Sequence, residues 1–521
     1  MSTGTLPHPA PADGRRTAPS PESRTAAVLA LARFEARELL LQIPVLLFLA
    51  LYIGYTGWTT LSGGEGMDDF PALQDVDRST QSAPLLLAIA LFAGVNRAVL
   101  RSRRHSTDRH FDVLVMEPWA RTTAHALSVL PFAAITALVV GLQFGWAALK
   151  PGAVGHGSPA ELAVGPLVIL LAGVLGVLLA RLIPVGFVAP PFVIGAYAVT
   201  ILVSASTQGS HWVSWLGPVV SDEGADPFPS DLVGRPAAWH AVYLTGLVVL
   251  LLCLAVLLSG GRTRLVAAVT VAAVGVLAAG VAGQSPGEPA SLIAARAEAS
   301  TAPQKVQVCT ERGRSTYCAY PEWSGRTADW ARVVDRIQSR AGGPAGGARL
   351  TVRQRVDARY GLDGDAALTP SGTPGTVTVG TRWGGNRVPE FAVGVASVLV
   401  AGDERSAGEM CDARAVTVMW LALSTQPDPM ASLRRVRLDD SIEGSAIVLA
   451  PTDPLSMSAQ QTTVVRELLM KPHYSVAAKV KAHWTELTSP RTSTARVAEL
   501  LGVHAGGKGA PADSGSGSCE E

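Results

Sequence analysis

Charge is what this sequence has least of. Only 16% of its 521 residues are Asp, Glu, Lys or Arg, against about 25% in an ordinary soluble domain. Hydrophobic residues make up 48% and mean hydropathy is +0.28, a balance that points to a membrane protein. The net charge of +1 leaves no global basic field, so no nucleic-acid partner is expected. Lysine is scarce beside arginine, an imbalance typical of a GC-rich bacterial genome. Near the start there is no apolar run to act as the core of a cleavable signal peptide. Residues 1–24 are instead rich in Pro, Ser, Thr and Gly, and read as a disordered cytoplasmic tail. Catalytic signatures are missing as well. No G-x-x-x-x-G-K-[ST] phosphate loop or H-E-x-x-H occurs, and the lysine of GGKGA near the end is followed by glycine.

What is abundant is the long apolar run. A bilayer core takes roughly 20 mostly apolar residues per helix. Seven windows qualify, at residues 39–58, 83–100, 124–148, 162–182, 185–206, 240–258 and 265–283. Asn96 and Arg97 weaken the second, although an arginine near a helix end can snorkel to the headgroups. Pro184 and the GGRTR at 260–264 split the close pairs into hairpins. With the N-terminus inside, eleven arginines flank the inner ends and three basic residues, Arg78, Lys150 and Arg235, lie outside. The positive-inside rule therefore favours a cytoplasmic N-terminus and, with seven spans, an outside C-terminal region. Ahead of the first window, residues 25–38 alternate at helical spacing, as suits an amphipathic interfacial helix or a cytosolic extension of the first span. Trp212, Trp215 and Trp239 suit an outer aromatic belt.

Charge returns in RSRRHSTDRHFDVLVMEPWARTTAH, residues 101–125, between the second and third windows. Arg101, Arg103 and Arg104 serve topology. The apolar Phe111, Leu114, Val115 and Trp119 beside Pro118 and Arg121 ask for a groove on a partner, whereas a plain lipid-facing loop would need arginine alone. An entry helix reading ARFEAREL, followed by a cytoplasmic loop after the second span carrying Leu114, Pro118 and Arg121, resembles the membrane subunit of an ABC-2 type transporter. The family's frequent Pro-x-Ser/Thr is replaced here by Pro118, Trp119 and Ala120. The resemblance covers residues 25–260 and implies a permease that couples through loop 101–123 to a separate cytosolic ATP-binding subunit. It implies a homodimer or a pairing with a second permease, and membrane lipids as surroundings. No cofactor is expected on this chain and no enzymatic activity of its own. Export of a lipid, peptide or amphipathic compound across the bacterial plasma membrane is the expected function. The alternative is a membrane-anchored extracytoplasmic sensor or scaffold. An enzyme acting on lipid-linked substrate ranks third, because the windows hold almost no charge.

The fold class expected is a polytopic α-helical membrane protein of about seven spans, residues 39–283, followed by a mixed α+β extracytoplasmic domain at 309–506. Residues 284–308 read as a linker and 507–521 as a disordered tail. Cys309 and Cys318 flank a turn at Gly313 within β-prone runs, so a disulfide-closed hairpin is expected in an oxidising compartment. Cys411 and Cys519 could pair or stay free, and Cys253 lies in a span. The runs LTVRQRVDARY and GTVTVGTRW suggest strands, and ARAVTVMWLAL an apolar helix around Trp420. The C-terminal helices should break at Pro472 and Pro490, with Thr488 or Ser489 capping the last. This small disulfide and the later CDAR–WLAL helix are similar to the C-terminal halves of bacterial ABC-2-like permeases. His473, His483, Glu467, Glu486 and Asp329 are isolated acid–base candidates in no recognised constellation, and no metal site is expected.

Overall fold

The computed structural model describes residues 21–62, 66–101, 116–185, 187–206, 215–219, 227–285, 288–359 and 368–504. Its first half is helical: α1 (Pro21–Leu40), α2 (Ile43–Leu61), α3 (Leu73–Ser79), α4 (Pro84–Val99), α5 (Pro118–Leu127), α6 (Leu130–Ala148), α7 (Pro159–Leu182), α8 (Ala189–Ser206), α9 (Ala237–Leu258) and α10 (Arg264–Gln284). Among the described residues six helical stretches are long and apolar enough to cross a membrane: α2, α3 with α4, α5 with α6, α7, α9 and α10. α8 is apolar and shorter over its described side chains. The chain thus combines a polytopic helical part with a C-terminal α/β region.

Proline sets where several of these helices begin. Pro44, Pro84, Pro118, Pro131 and Pro159 stand in first turns, where the missing amide hydrogen leaves no intrahelical bond unmade. Leu41 and Gln42 interrupt the helix ahead of Pro44, so α1 is a separate element and not an extension of the first span. α7 is the bundle's axis, with two thirds of its apolar window buried against about a tenth for α10 and a fifth for α2. Gly176 of α7 meets α4 so closely that a Cβ would stand 2.6 Å from the carbonyl oxygen of Phe92, and Asn96 donates to Gly176 O at 3.2 Å. Arg97, the next residue, is exposed. Phe92 also stacks on Phe192 of α8, with ring centroids 5.2 Å apart.

The C-terminal half contains α11 (Ala290–Thr301), β1 (Val308–Arg312), β2 (Ser315–Ala319), α12 (Thr327–Arg340), β3 (Thr351–Gln354), β4 (Thr376–Val379), α13 (Arg387–Ala401), α14 (Arg414–Leu423), α15 (Pro429–Val436), β5 (Ala446–Val448), β6 (Leu455–Met457), α16 (Ala459–Leu469), α17 (His473–Ala482) and α18 (Thr494–Leu501). One sheet runs β1-β2-β3-β4, with β1 antiparallel to β2 and the other neighbours parallel. The helix α12 provides the crossover from β2 to the parallel β3, the connection such a pair needs. α13 and α14 pack together, and nine of the ten α14 residues, Trp420 among them, are buried.

The hairpin is as the spacing predicts. Cys309 faces Cys318 in register and the two are bonded, while Gly313 supplies the turn with φ of +60°. Since β1 is exposed on most of its length, the covalent link adds to the ladder with β2 in holding this edge strand. Cys309→Ser should lower the unfolding free energy by about 2–3 kcal/mol, read by denaturant titration with and without reductant. Equal stability of wild type and variant in oxidising buffer would contradict this. Cys411 is disulfide-bonded as well, and Cys519 lies outside the described residues.

Three expectations need correction. The 284–308 stretch is not an open linker, because Pro289 starts the alanine-rich α11 and its Arg296, 2% exposed, donates to the carbonyls of Leu232 and Val233 at 2.8 and 3.0 Å. Trp215 is buried and not part of an exposed belt; Trp239 is exposed and Trp212 lies outside the described residues. The last helix is capped by Ser493, whose hydroxyl accepts from Arg496 N, and not by Thr488 or Ser489. Pro490 belongs to the preceding turn. The tails 1–20 and 505–521 also lie outside the described residues.

The C-terminal half is not an independent globule. Its core continues into Ala72, Val154, Phe228 and Leu232 from the loops of the helical half. Residues 71–73 and 154 bond to each other across those loops, Leu73 N to Val154 O at 2.9 Å and Val154 N to Pro71 O at 3.0 Å. One end of the bundle is therefore built into the C-terminal unit. The other end carries α1, Arg101 and the start of α5.

Candidate functional site

The end of the bundle far from the C-terminal unit contains what is described of the segment singled out for coupling. Pro118 opens α5, preceded by Glu117 in extended geometry. Trp119 is half-buried and donates its indole hydrogen to the Glu117 carboxylate. The turn after α9 comes close to it, since a Cβ on Gly261 would stand 2.9 Å from Trp119 Cβ. Thr122 and Ser259 bond through their hydroxyls at 2.7 Å, fixing α5 to the end of α9. Arg121 is half-buried on the same helix. Phe111, Leu114 and Val115 lie outside the described residues.

α1 packs along α5 and contributes acids to it. Glu35 is buried and accepts from Arg101 at 3.2 Å, with Glu38 at 3.8 Å from the same guanidinium. His125 Nδ1 stands 3.8 Å from Glu35, and Arg24 reaches Glu117 at 3.9 Å. The entry helix, the end of the second span and the start of the third thus form one polar platform. Leu29 and Phe34 of α1 remain exposed beside it. These apolar groups, with charges around them, are the composition of a surface that meets a partner or a headgroup layer.

Towards the other end is a buried polar cluster that windows of apolar residues could not locate. Glu161, in the first turn of α7, faces Arg235 at 3.4 Å, both side chains being 6% exposed, and accepts from the Gln81 amide. Asp77 of α3, 2% exposed, accepts from Ser158 N at 2.7 Å. These residues are about 80 positions apart in sequence and stand just outside the apolar windows, where hydropathy registers only a boundary. The helices extend past the windows and enclose them.

The five acid–base candidates do not converge. Asp329 pairs with Arg332, Glu486 with Arg496 at 2.8 Å, and Glu467 accepts from His504 N at 3.0 Å. His483 is exposed and His473 begins α17. The arginine beside Glu486 holds that carboxyl below its ordinary range, which suits a surface ion pair and not a proton carrier. Among the described residues no cluster of three metal-type ligands occurs.

No protein-family model, no curated protein and no solved structure matches the chain.

Proposed function

We propose that the chain is the membrane subunit of an ABC-2 type transporter, working with a separate cytosolic ATPase and exporting a lipid, peptide or amphipathic compound across the bacterial plasma membrane. The observation that carries this reading is the platform of α1, Arg101 and α5. An ATPase pushing on the segment before Pro118 would act at once on the second and third spans and on the entry helix. Its charge supports a cytoplasmic placement, because the arginines at 24, 33, 37, 101, 121, 181, 262 and 264 gather at this end. The seventh span of this reading is α8. Both α7 and α9 start at the end next to the C-terminal unit, as the Arg235–Glu161 pair requires. In this reading the chain recrosses the bundle between them through α8, the apolar helix that lies between α7 and α9 in sequence. The lightly buried α2 and α10 offer apolar flanks to lipid or to a second permease copy.

A membrane-anchored extracytoplasmic sensor or scaffold is the second reading, favoured by the core that the C-terminal unit shares with the bundle loops. Co-purification separates the two. A phosphate-loop ATPase should copurify with the full chain from native membranes, and Pro118→Ala or Leu114→Asp should reduce its recovery about tenfold, the equivalent of roughly 1.4 kcal/mol of interface energy. Undiminished recovery with a chain lacking residues 102–115 would overturn the coupling role. Absence of any ATPase from the wild-type preparation would favour the sensor reading.

A further inference from the structure

A cavity of about 570 Å³ opens where the outer ends of α2, α3 and α6 meet the C-terminal unit. Its size falls in the ordinary range of small-molecule pockets, about 300–1,000 Å³. Three features of its wall bear on what it could hold. The first is aromatic. Trp383 of the C-terminal unit is 4% exposed and held edge-on by Trp330 and Phe391, with ring centroids 6.3 and 5.5 Å away. Tyr55 and Trp146 line the same cavity from the bundle and are more than half exposed.

The second feature is an excess of acceptors. Thr59 and Thr60 donate their hydroxyl hydrogens to the Thr56 carbonyl at 3.1 and 2.7 Å, and Ser79 donates to Val76 O at 2.7 Å. Each spends its only hydrogen on its own helix and keeps oxygen lone pairs for a ligand. Thr56 itself is 5% exposed, lines the cavity, and its Oγ1 has no hydrogen-bond partner in the structure. The third feature is charge of both signs: Asp68 and Asp75 line the cavity along with Lys150 and Arg382, Asp75 being paired with Arg78 at 2.5 Å and Lys150 donating to the Asp68 carbonyl. A ligand of one sign would gain from two of these groups and lose to the other two.

We propose that this cavity binds the headgroup of one zwitterionic phospholipid carrying a primary ammonium. The ammonium hydrogens meet the threonine oxygens, Asp75 and the aromatic faces, and the phosphate lies towards Lys150 and Arg382. The acyl chains leave between Tyr55 and Trp146 along the flanks of α2 and α6. The site lies at the ends of the spans, at headgroup depth. It requires that the bundle sit in a bilayer and not that an ATPase bind, so a failed co-purification leaves it standing.

The test uses the full chain purified in mild detergent, stripped of lipid, and titrated with phosphatidylethanolamine, phosphatidylcholine or phosphatidylglycerol while retained lipid is counted by native mass spectrometry. One phosphatidylethanolamine per chain should be retained in preference to the other two. Thr56→Val with Asp75→Asn should weaken that retention about tenfold, as expected for losing one neutral and one charged contact. Ser79 is exposed, so Ser79→Trp fills the cavity without disturbing a core and should abolish retention. Equal retention of phosphatidylcholine, which lacks ammonium hydrogens, would overturn the proposal. So would preference for phosphatidylglycerol, or unchanged retention by the Ser79→Trp chain.

Discussion

Replacing Arg326 with alanine is expected to loosen the C-terminal unit from the bundle at a cost of about 3 kcal/mol or more. The reason is the number of elements that converge on this one guanidinium. Arg326 is 2% exposed. It donates to Thr381 O at 3.0 Å within its own unit, and to Phe70 O at 2.5 Å and Gly152 O at 3.2 Å in two different loops of the bundle. The Phe70 ring lies beneath it, 5.9 Å from ring centroid to guanidinium carbon. Burial pushes the Arg326 pKa down to about 10, with Asp329 opposing the shift, so the group stays charged at neutral pH. Its removal leaves carbonyls buried with a donor lost, at roughly 1–3 kcal/mol each. Lysine presents its hydrogens from a single nitrogen and cannot span the same fork, so Arg326→Lys should recover only part of the loss. Hydrogen exchange reads this directly: amides of residues 70, 72, 73 and 152–154 should exchange faster in the alanine variant, while α14 keeps its protection. Unchanged exchange at both loops would show that the apolar contacts alone hold the units together.

The second large effect is expected at the buried pair inside the bundle. Glu161→Leu removes the carboxylate that faces Arg235 and accepts from Gln81. Breaking one side of a buried pair typically destabilises by about 3–5 kcal/mol, because the remaining charge keeps its desolvation cost without its partner. The double variant Glu161→Leu with Arg235→Leu removes both charges, and should recover most of the loss. Denaturant unfolding in detergent supplies the four corners of the cycle. A single variant as stable as wild type, or a double variant no better than the single, would show that Asp77 and the surrounding amides carry the site instead.

How much of this could be read from the sequence differs by the range of the interaction. Signals within a few residues were legible. Long apolar runs located the helices, the Cys309–Cys318 spacing around Gly313 located a hairpin and its disulfide, and alternation located β3 and β4. Signals that depend on distant partners were not. Nothing near Arg326 marks it as the residue that holds Phe70 and Gly152, since those carbonyls come from residues 256 and 174 positions earlier. Glu161 and Arg235 read as a helix start and a loop, because a pair of opposite charges separated in sequence carries no periodicity. The 284–308 stretch was misread for a different reason. Pro286, Gly287 and Pro289 at its start suggested an open chain, although the stretch after Pro289 is rich in alanine, the strongest helix former. The segment proposed for coupling is legible only in outline, as a proline that opens a helix at a charged end of the bundle.

The shared core also orders events in time. Ala72 and Val154 leave the ribosome early, yet the side chains that cover them belong to a core that includes Val398 and Leu501. Translating the roughly 240 residues between Val154 and Val398 takes about 10–50 s at ~5–20 residues per second. In the later part of that interval, once α10 has been made, the helices are threaded but their loops are uncapped, with apolar surface and open carbonyls facing water. A nascent chain in this state is a substrate for chaperones and proteases on the side where the C-terminal unit emerges. Premature termination anywhere before α13 would make that state permanent, so quality control can recognise an unfinished copy by its loops without inspecting its spans.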